Sequence, residues 1–146
     1  MYVDHFHGLH EFLSPVLHTL QKLTLIHKPT IGLEYEFLRG LAGELQQLRG
    51  NNRLQCVNIV VELARFQPLY YFKIGDEYVY VDETLTNSGW PELREVEICA
   101  RVDCSLDPWT EHHLLVERIQ LKSELEDLHF HRLEKSDQVK FRYLIS

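Results

Sequence analysis

Nine histidines and three cysteines are the residues of this sequence whose chemistry could hold a metal ion. A structural zinc site needs four ligands in tetrahedral contact, commonly with paired cysteines two to four residues apart. Cys99 and Cys104 have four residues between them and fall on opposite parities of a strand. Neither a Cys-x-x-Cys nor a His-Glu-x-x-His motif occurs. We therefore expect no metal and no cofactor, with the histidines on solvated surfaces.

The motifs of covalent catalysis and of phosphate binding do not occur in the sequence. It contains no Gly-x-Ser-x-Gly and no glycine-rich phosphate loop. Gly-Asp-Glu at positions 75–77 is predicted to be a hairpin turn, and the glycines of segment 40–43 lie in a helical run. Glu95 and Glu97 occupy outward-facing strand positions, where solvation is expected. We predict that the protein is not an enzyme and has no small-molecule substrate.

The chain has 146 residues and a formal net charge of −7. Its length fits one domain, and its 45% hydrophobic content allows a real core. Because a generic nucleic-acid binder carries a basic face, any phosphate contact here must come from a local groove, or the surface binds protein instead. The odd cysteine count and the absence of a secretory start favour a reducing compartment, the nucleus or the cytosol. No apolar run is long enough to span a bilayer, so we expect no membrane association.

Five segments have the composition of β-strands. They are Leu54–Phe66, two strands within Pro68–Leu85 that fold back at Gly75, Arg94–Cys104 and His112–Leu121. Arg94–Cys104 alternates apolar and polar residues most regularly, which is typical of a sheet with one wet face. Five short strands in about seventy residues favour a small closed barrel.

Helical patterns flank these strands. Residues Met1–Ile26 and Leu33–Leu48 carry apolar stripes at three- and four-residue steps. Ser123–Lys135 is predicted to be a further helix, capped by its first residue. The tail Gln138–Ser146 alternates and is interpreted either as an extra strand or as a segment that docks on a partner. No internal repeat is evident.

Five β segments followed by a helix is the element order of an OB-fold, a five-stranded Greek-key barrel. Tyr70–Asp82 resembles the second hairpin of the middle subunit of replication protein A and of the related telomere-capping family of the Stn1 type. Ile119–Glu134 resembles the end of the same barrels, where the last strand meets a partner-pairing helix. Residues 84–94 are too short for the helix that the family usually carries there. The predicted fold is mainly β, with an N-terminal helical segment (1–50), an OB-fold barrel (51–122) and a C-terminal helix and tail (123–146).

The resemblance implies a nuclear subunit of a complex for single-stranded DNA binding, telomere protection or genome maintenance, acting by binding and assembly. OB barrels hold single strands with aromatic rings that stack on bases and with cations that contact phosphates. Strand residues of these two types, with side chains on the polar parity of the central hairpin or on neighbouring strands, are the predicted nucleic-acid contacts. They are Arg65, Tyr71, Lys73, Tyr78, Tyr80 and Arg101. The alternative interpretation is that the tyrosines are wall or interface residues.

Apolar residues after position 123 exceed what one small barrel needs, so we predict that they bind a companion subunit. They are Leu125, Leu128, Phe130, Leu133 and Phe141. A second functional hypothesis follows from this surplus. The chain would then be a protein–protein interaction module, with an OB-like or other α+β fold, that scaffolds a complex without contacting nucleic acid.

Overall fold

The computed structural model describes residues 2–3, 6–29, 35–63, 72–102 and 112–146. In these ranges the chain forms a mixed α/β fold with seven strands and five helices. In chain order the elements are β1 (Tyr2–Val3), α1 (Leu9–Leu13), β2 (Lys22–His27), β3 (Tyr35–Glu36), α2 (Leu41–Leu48), β4 (Cys56–Leu63), β5 (Phe72–Lys73), α3 (Glu77–Thr86), β6 (Glu95–Val102), α4 (His112–Glu126), α5 (His131–Glu134) and β7 (Lys140–Ile145).

Five strands form one parallel sheet in the order β1-β2-β4-β6-β7. This order follows the chain, so every connection moves one strand further in the same direction. Crossovers of the usual right hand then place their helices on a single face of the sheet. A separate pair, β3 and β5, is also parallel. Within the described ranges the large sheet is open, with β1 and β7 at its edges.

Burial confirms that the two faces of the sheet differ. On one face the valine and isoleucine side chains of β4 and β6, among them Ile59 and Ile98, are completely enclosed. They share one core with leucines of the helices, including Leu45, Leu85 and Leu125. On the other face Glu95 and Arg101 are exposed. The predicted sheet with one wet face is therefore confirmed for β6, and it extends across the neighbouring strands.

Carboxylates that are distant in sequence cap the short helices. Glu44 on α2 is buried, and its two oxygens accept the backbone N–H groups of Gly8 (2.9 Å) and Leu9 (2.8 Å) at the start of α1. Asp82 on α3 is also buried and accepts the N–H groups of Arg132 (2.9 Å) and Leu133 (2.8 Å) at the start of α5. Each carboxylate supplies acceptors that the first turn of a helix otherwise lacks. These bonds fix the helix layer on the core side of the sheet.

A leucine motif leads into three strands of the sheet. It has the form Leu-x-x-apolar-x-apolar and begins at Leu20, Leu54 and Leu93, just before β2, β4 and β6. Its starts are 34 and 39 residues apart. This recurrence was missed at the level of sequence, because the connecting segments differ in length.

Strand predictions for β4 and β6 are confirmed, and the tail forms the strand β7. Helices α2, α4 and α5 overlap the helical predictions for Leu33–Leu48 and Ser123–Lys135. One sheet also connects the three predicted regions, 1–50, 51–122 and 123–146. Strand β2 lies in the first, β4 and β6 lie in the second, and β7 lies in the third.

Other element predictions were wrong. Glu77–Thr86 is helix α3 rather than a strand, since Tyr-Val-Tyr-Val alternates in sequence while Val81 and Leu85 face the core at helical spacing. The segment predicted as the last strand is helix α4. The first predicted helix contains β2, whose residues Leu23 and Leu25 are buried at period two. The described strands are parallel and in chain order, which is not a Greek-key arrangement, and they show no closed barrel.

Candidate functional site: the open face of the sheet

The face of the large sheet opposite the core, here called the open face, is built from alternate residues of β2, β4, β6 and β7 and the positions that follow them. Strand register aligns these residues in rows that run across the strands. From one end of the strands to the other, the rows are Lys22–Cys56–Glu95–Lys140, Thr24–Asn58–Glu97–Arg142, Ile26–Val60–Cys99–Leu144 and Lys28–Glu62–Arg101.

One row of the open face is apolar. Val60 and Cys99 at its centre are only 9% and 8% exposed, yet they do not belong to the core cluster. Leu144, at the β7 end of the row, is 46% exposed. An apolar strip with a covered centre and one accessible end is suited to hold an apolar side chain of a partner.

Ion pairs border the apolar row on both sides. Glu62 accepts from Lys28 (Nζ to Oε2, 2.9 Å) and from Arg101 (Nη1 to Oε1, 2.9 Å). The hydrogen bond from Lys28, with a further contribution from Arg101, holds the pKa of the Glu62 carboxyl below its ordinary value. On the other side Arg142 Nη2 lies 2.8 Å from Glu97 Oε2. These pairs hold long side chains in defined positions on an otherwise flat surface.

The charge of the open face has the opposite sign to that of the molecule. Five cations face three carboxylates there, which gives a local net charge of +2, whereas the whole chain carries −7. The cations are Lys22, Lys28, Arg101, Lys140 and Arg142, and the carboxylates are Glu62, Glu95 and Glu97. Clustered charge of one sign favours the approach of a partner of the other sign.

Those predicted nucleic-acid contacts that the structure describes do not lie on one surface. Arg65 and Tyr71 lie outside the described residues. Arg101 is on the open face. Tyr78 and Tyr80 belong to α3, in the helix layer on the opposite side of the sheet. Because base stacking beside phosphate contacts needs rings and cations on one surface, Arg101 and these tyrosines do not form such a platform.

Lys73 lies on β5 of the small sheet, and the ring of Tyr78 packs edge-on against Phe130 at 5.7 Å between centroids. Tyr78 therefore contributes to packing within the chain, which is the alternative that the sequence left open for the tyrosines.

The predicted partner-binding residues lie mainly in the chain's own core. Leu125, Phe130 and Leu133 are almost completely buried. Leu128 and Phe141 are half-buried and pack against the same core. The burial of Leu125, Phe130 and Leu133 accounts for much of the apolar surplus that the sequence analysis assigned to a companion subunit. Leu128 and Phe141 keep part of their surface exposed.

The open face as a unit was missed by sequence reasoning, although one signal pointed to it. The alternation in Arg94–Cys104 already placed Glu95, Glu97 and Arg101 on a wet side. The rows could not be predicted, because they depend on which strands are neighbours and in which register.

Two further features of the described residues bear on function. No group of three or more histidine, cysteine or acidic side chains there is arranged to hold a metal ion. In the same part of the chain, no helix combines the length and apolar character that crossing a membrane requires. A depression of about 280 Å³ at the carboxyl ends of β4 and β6 is lined by Glu62, Arg101 and Ser146 among others, which is at the lower limit for small-molecule sites.

No protein-family model matches this chain, and neither a curated protein nor a solved structure matches it. The resemblance to single-strand-binding and telomere-capping subunits therefore stays a prediction from short sequence segments.

Proposed function

We propose that this chain is a non-enzymatic interaction module of a heteromeric assembly, and that it binds a protein partner through the open face of its parallel sheet. The observation that carries the proposal is the apolar row bordered by ion pairs on the face opposite the described helix layer. Sheets built from strand-and-helix repeats commonly present their strand face as an extended binding surface.

Dimensions of the open face limit the affinity. Four strands about 4.8 Å apart and about seven residues long, with about 3.3 Å per residue, span roughly 19 by 23 Å, or about 400 Å² in projection. A standard interface buries about 800 Å² on each partner. We therefore expect a dissociation constant in the micromolar range unless the partner also contacts surfaces beside the sheet.

Charge and composition favour an acidic protein as the partner. The local charge of +2 attracts acidic side chains, and the exposed Leu144 at the end of the apolar row can contact an aliphatic or aromatic anchor. Single-stranded DNA, the ligand that the sequence resemblance implies, would need aromatic rings beside the cations. The described side chains that β2, β4, β6 and β7 place on the open face include no aromatic ring, although β1 brings Tyr2 into register with Ile26 of the apolar row. We therefore favour a protein partner and let the experiment distinguish the two ligands.

Site-specific photo-crosslinking in cells tests the proposal. A benzophenone amino acid replaces Lys22, which is exposed on the open face, and in a matched control it replaces Lys135, which is exposed at the end of α5. We expect one defined protein adduct from position 22 and none of that mass from position 135. The yield should fall at least fivefold when Arg101→Glu is added, because that change reverses a charge within the face.

Two results would count against the protein-binding proposal. An adduct that nuclease digestion removes would identify a nucleic acid and restore the single-strand-binding hypothesis. Equal adducts from both positions would show that the helix layer, or non-specific contact, accounts for the crosslinking.

A further inference from the structure

The edge strand β7 is less covered than its neighbours on both sides of the sheet. On the core side Phe141, Tyr143 and Ile145 are only half-buried. Their register partners on β6, which are Val96, Ile98 and Ala100, are at most 1% exposed. On the open face Leu144 is 46% exposed, whereas its register partner Cys99 is 8% exposed. Among the described residues, the β7 side chains are therefore left partly exposed on the side where a further strand would lie.

The backbone of β7 is also available at this edge. Its bonds to β6 use even-numbered residues: Lys140 N–H donates to Arg94 O (2.7 Å), and Ser146 N–H donates to Ala100 O (3.0 Å). In a parallel ladder, alternate residues bond to the same neighbour. The N–H and C=O groups of residues 141, 143 and 145 therefore point away from β6. No described strand pairs with β7 on that side, and such a row of groups is a template for pairing.

Charges along the rows indicate what such a strand would carry. Glu95 on β6 is followed in its row by Lys140 on β7, and Glu97 is followed by Arg142. Each of these two rows therefore carries a carboxylate on β6 and a cation on β7, at the edge of the sheet. Opposite charges on directly opposed residues stabilise strand pairing, and like charges destabilise it. The next strand would therefore place acidic residues beside Lys140 and Arg142.

We propose that the free edge of β7 accepts an extended segment of a partner as a sixth strand, with acidic side chains on the open face and apolar side chains on the core side. The acidic residues would oppose Lys140 and Arg142, and the apolar ones would complete the cover of Phe141 and Tyr143. This recognition is by strand addition. It goes beyond the proposed function, because it uses backbone groups at the sheet edge rather than the open face alone.

Pairing with a second copy of the chain fits the charges less well. An antiparallel pair centred on Arg142 would oppose two arginines, one centred on Phe141 would oppose Lys140 with Arg142, and one centred on Tyr143 would oppose Arg142 with Leu144. None of these registers places a carboxylate beside the two cations. The acidic segment is therefore the occupant that the edge favours.

Amide hydrogen exchange by NMR tests the proposal, with an acetylated and amidated hexapeptide of alternating glutamate and valine as the probe. In the free protein the amides of Phe141, Tyr143 and Ile145 should exchange fast, and those of Arg142 and Leu144 should be protected. The peptide should slow exchange at the three odd positions at least about tenfold under saturating conditions. A lysine–valine peptide should bind at least tenfold more weakly at low salt.

A double variant, Lys140→Gln with Arg142→Gln, should remove most of this preference between the two peptides. The proposal is overturned if the odd amides are already protected in the free protein or are unaffected by the peptide. Equal binding of both peptides, or self-association of the protein that protects the same amides, would also overturn it. If the variant does not fold, the comparison of the two peptides on the unmodified protein still tests the proposal. Failure here leaves the crosslinking prediction at position 22 intact, so the two proposals are separable.

Discussion

Asp82 gives the sharpest stability prediction, because one buried carboxylate anchors a helix about fifty positions further along the chain. Its oxygens accept two backbone N–H groups at the start of α5, at 2.9 and 2.8 Å. Hydrogen bonds to a charged acceptor contribute about 1.5–3 kcal/mol each. The Asp82→Ala variant leaves the buried N–H of Leu133 and the part-buried N–H of Arg132 without their acceptor, so we expect a loss of about 3–5 kcal/mol in the free energy of unfolding. That is a large share of a typical total.

The matched control for this prediction is the adjacent residue. Glu83 contacts the Arg132 side chain at 3.4 Å in an exposed pair, and such pairs contribute about 0.2–1 kcal/mol. Urea titration followed by circular dichroism measures both variants, and at about 3 °C per kcal/mol the Asp82→Ala protein should also melt roughly 10–15 °C lower. If Asp82→Ala and Glu83→Ala differ by less than 1 kcal/mol, the capping argument is refuted.

Three further predictions concern single residues. Gly75→Ala should destabilise by about 1–2 kcal/mol, because φ there is +61° and an added Cβ would displace the flexible Glu36 side chain. Gly43→Ala, in α2 with free space around it, should stabilise by about 0.5–1 kcal/mol. Urea unfolding measures both changes. Glu62→Gln should cost about 0.2–1 kcal/mol at pH 7. The Lys28 hydrogen bond lowers the folded-state pKa of Glu62 below its ordinary value of 4.5. The difference in unfolding free energy between the two proteins should therefore be complete above about pH 4.5 and should vanish as the pH falls through the folded-state pKa. Burial raises the pKa of Tyr143, so ultraviolet titration should show this phenol ionising above pH 10, and Tyr143→Phe should remove a late-titrating step.

Two strands could be predicted from sequence because their residues carry the signal by themselves. In β4 and β6, β-branched residues alternate on the core side, and that pattern does not depend on what packs beside it. Helix α3 could not be predicted in the same way. Tyr78 to Val81 alternates like a strand, and only contacts with the rest of the core select the helical solution.

Topology was the larger obstacle. Whether strands close into a barrel or extend as a parallel sheet depends on pairings between segments far apart in sequence, which composition does not encode. The caps from Glu44 to α1 and from Asp82 to α5 connect residues about 35 and 50 positions apart. The open face follows from the same long-range register, so Glu62 and Arg101 could be recognised as polar strand residues but not as neighbours.

The central claim is that the open face binds an acidic protein. It is tested most directly by assigning backbone NMR resonances and adding the partner identified by crosslinking. Perturbed amides should cluster on the open face, around Ile26, Asn58 and Glu97, and be few in α3 and α4. A cluster of perturbed amides on α3 and α4, with the open face unchanged, would contradict the account.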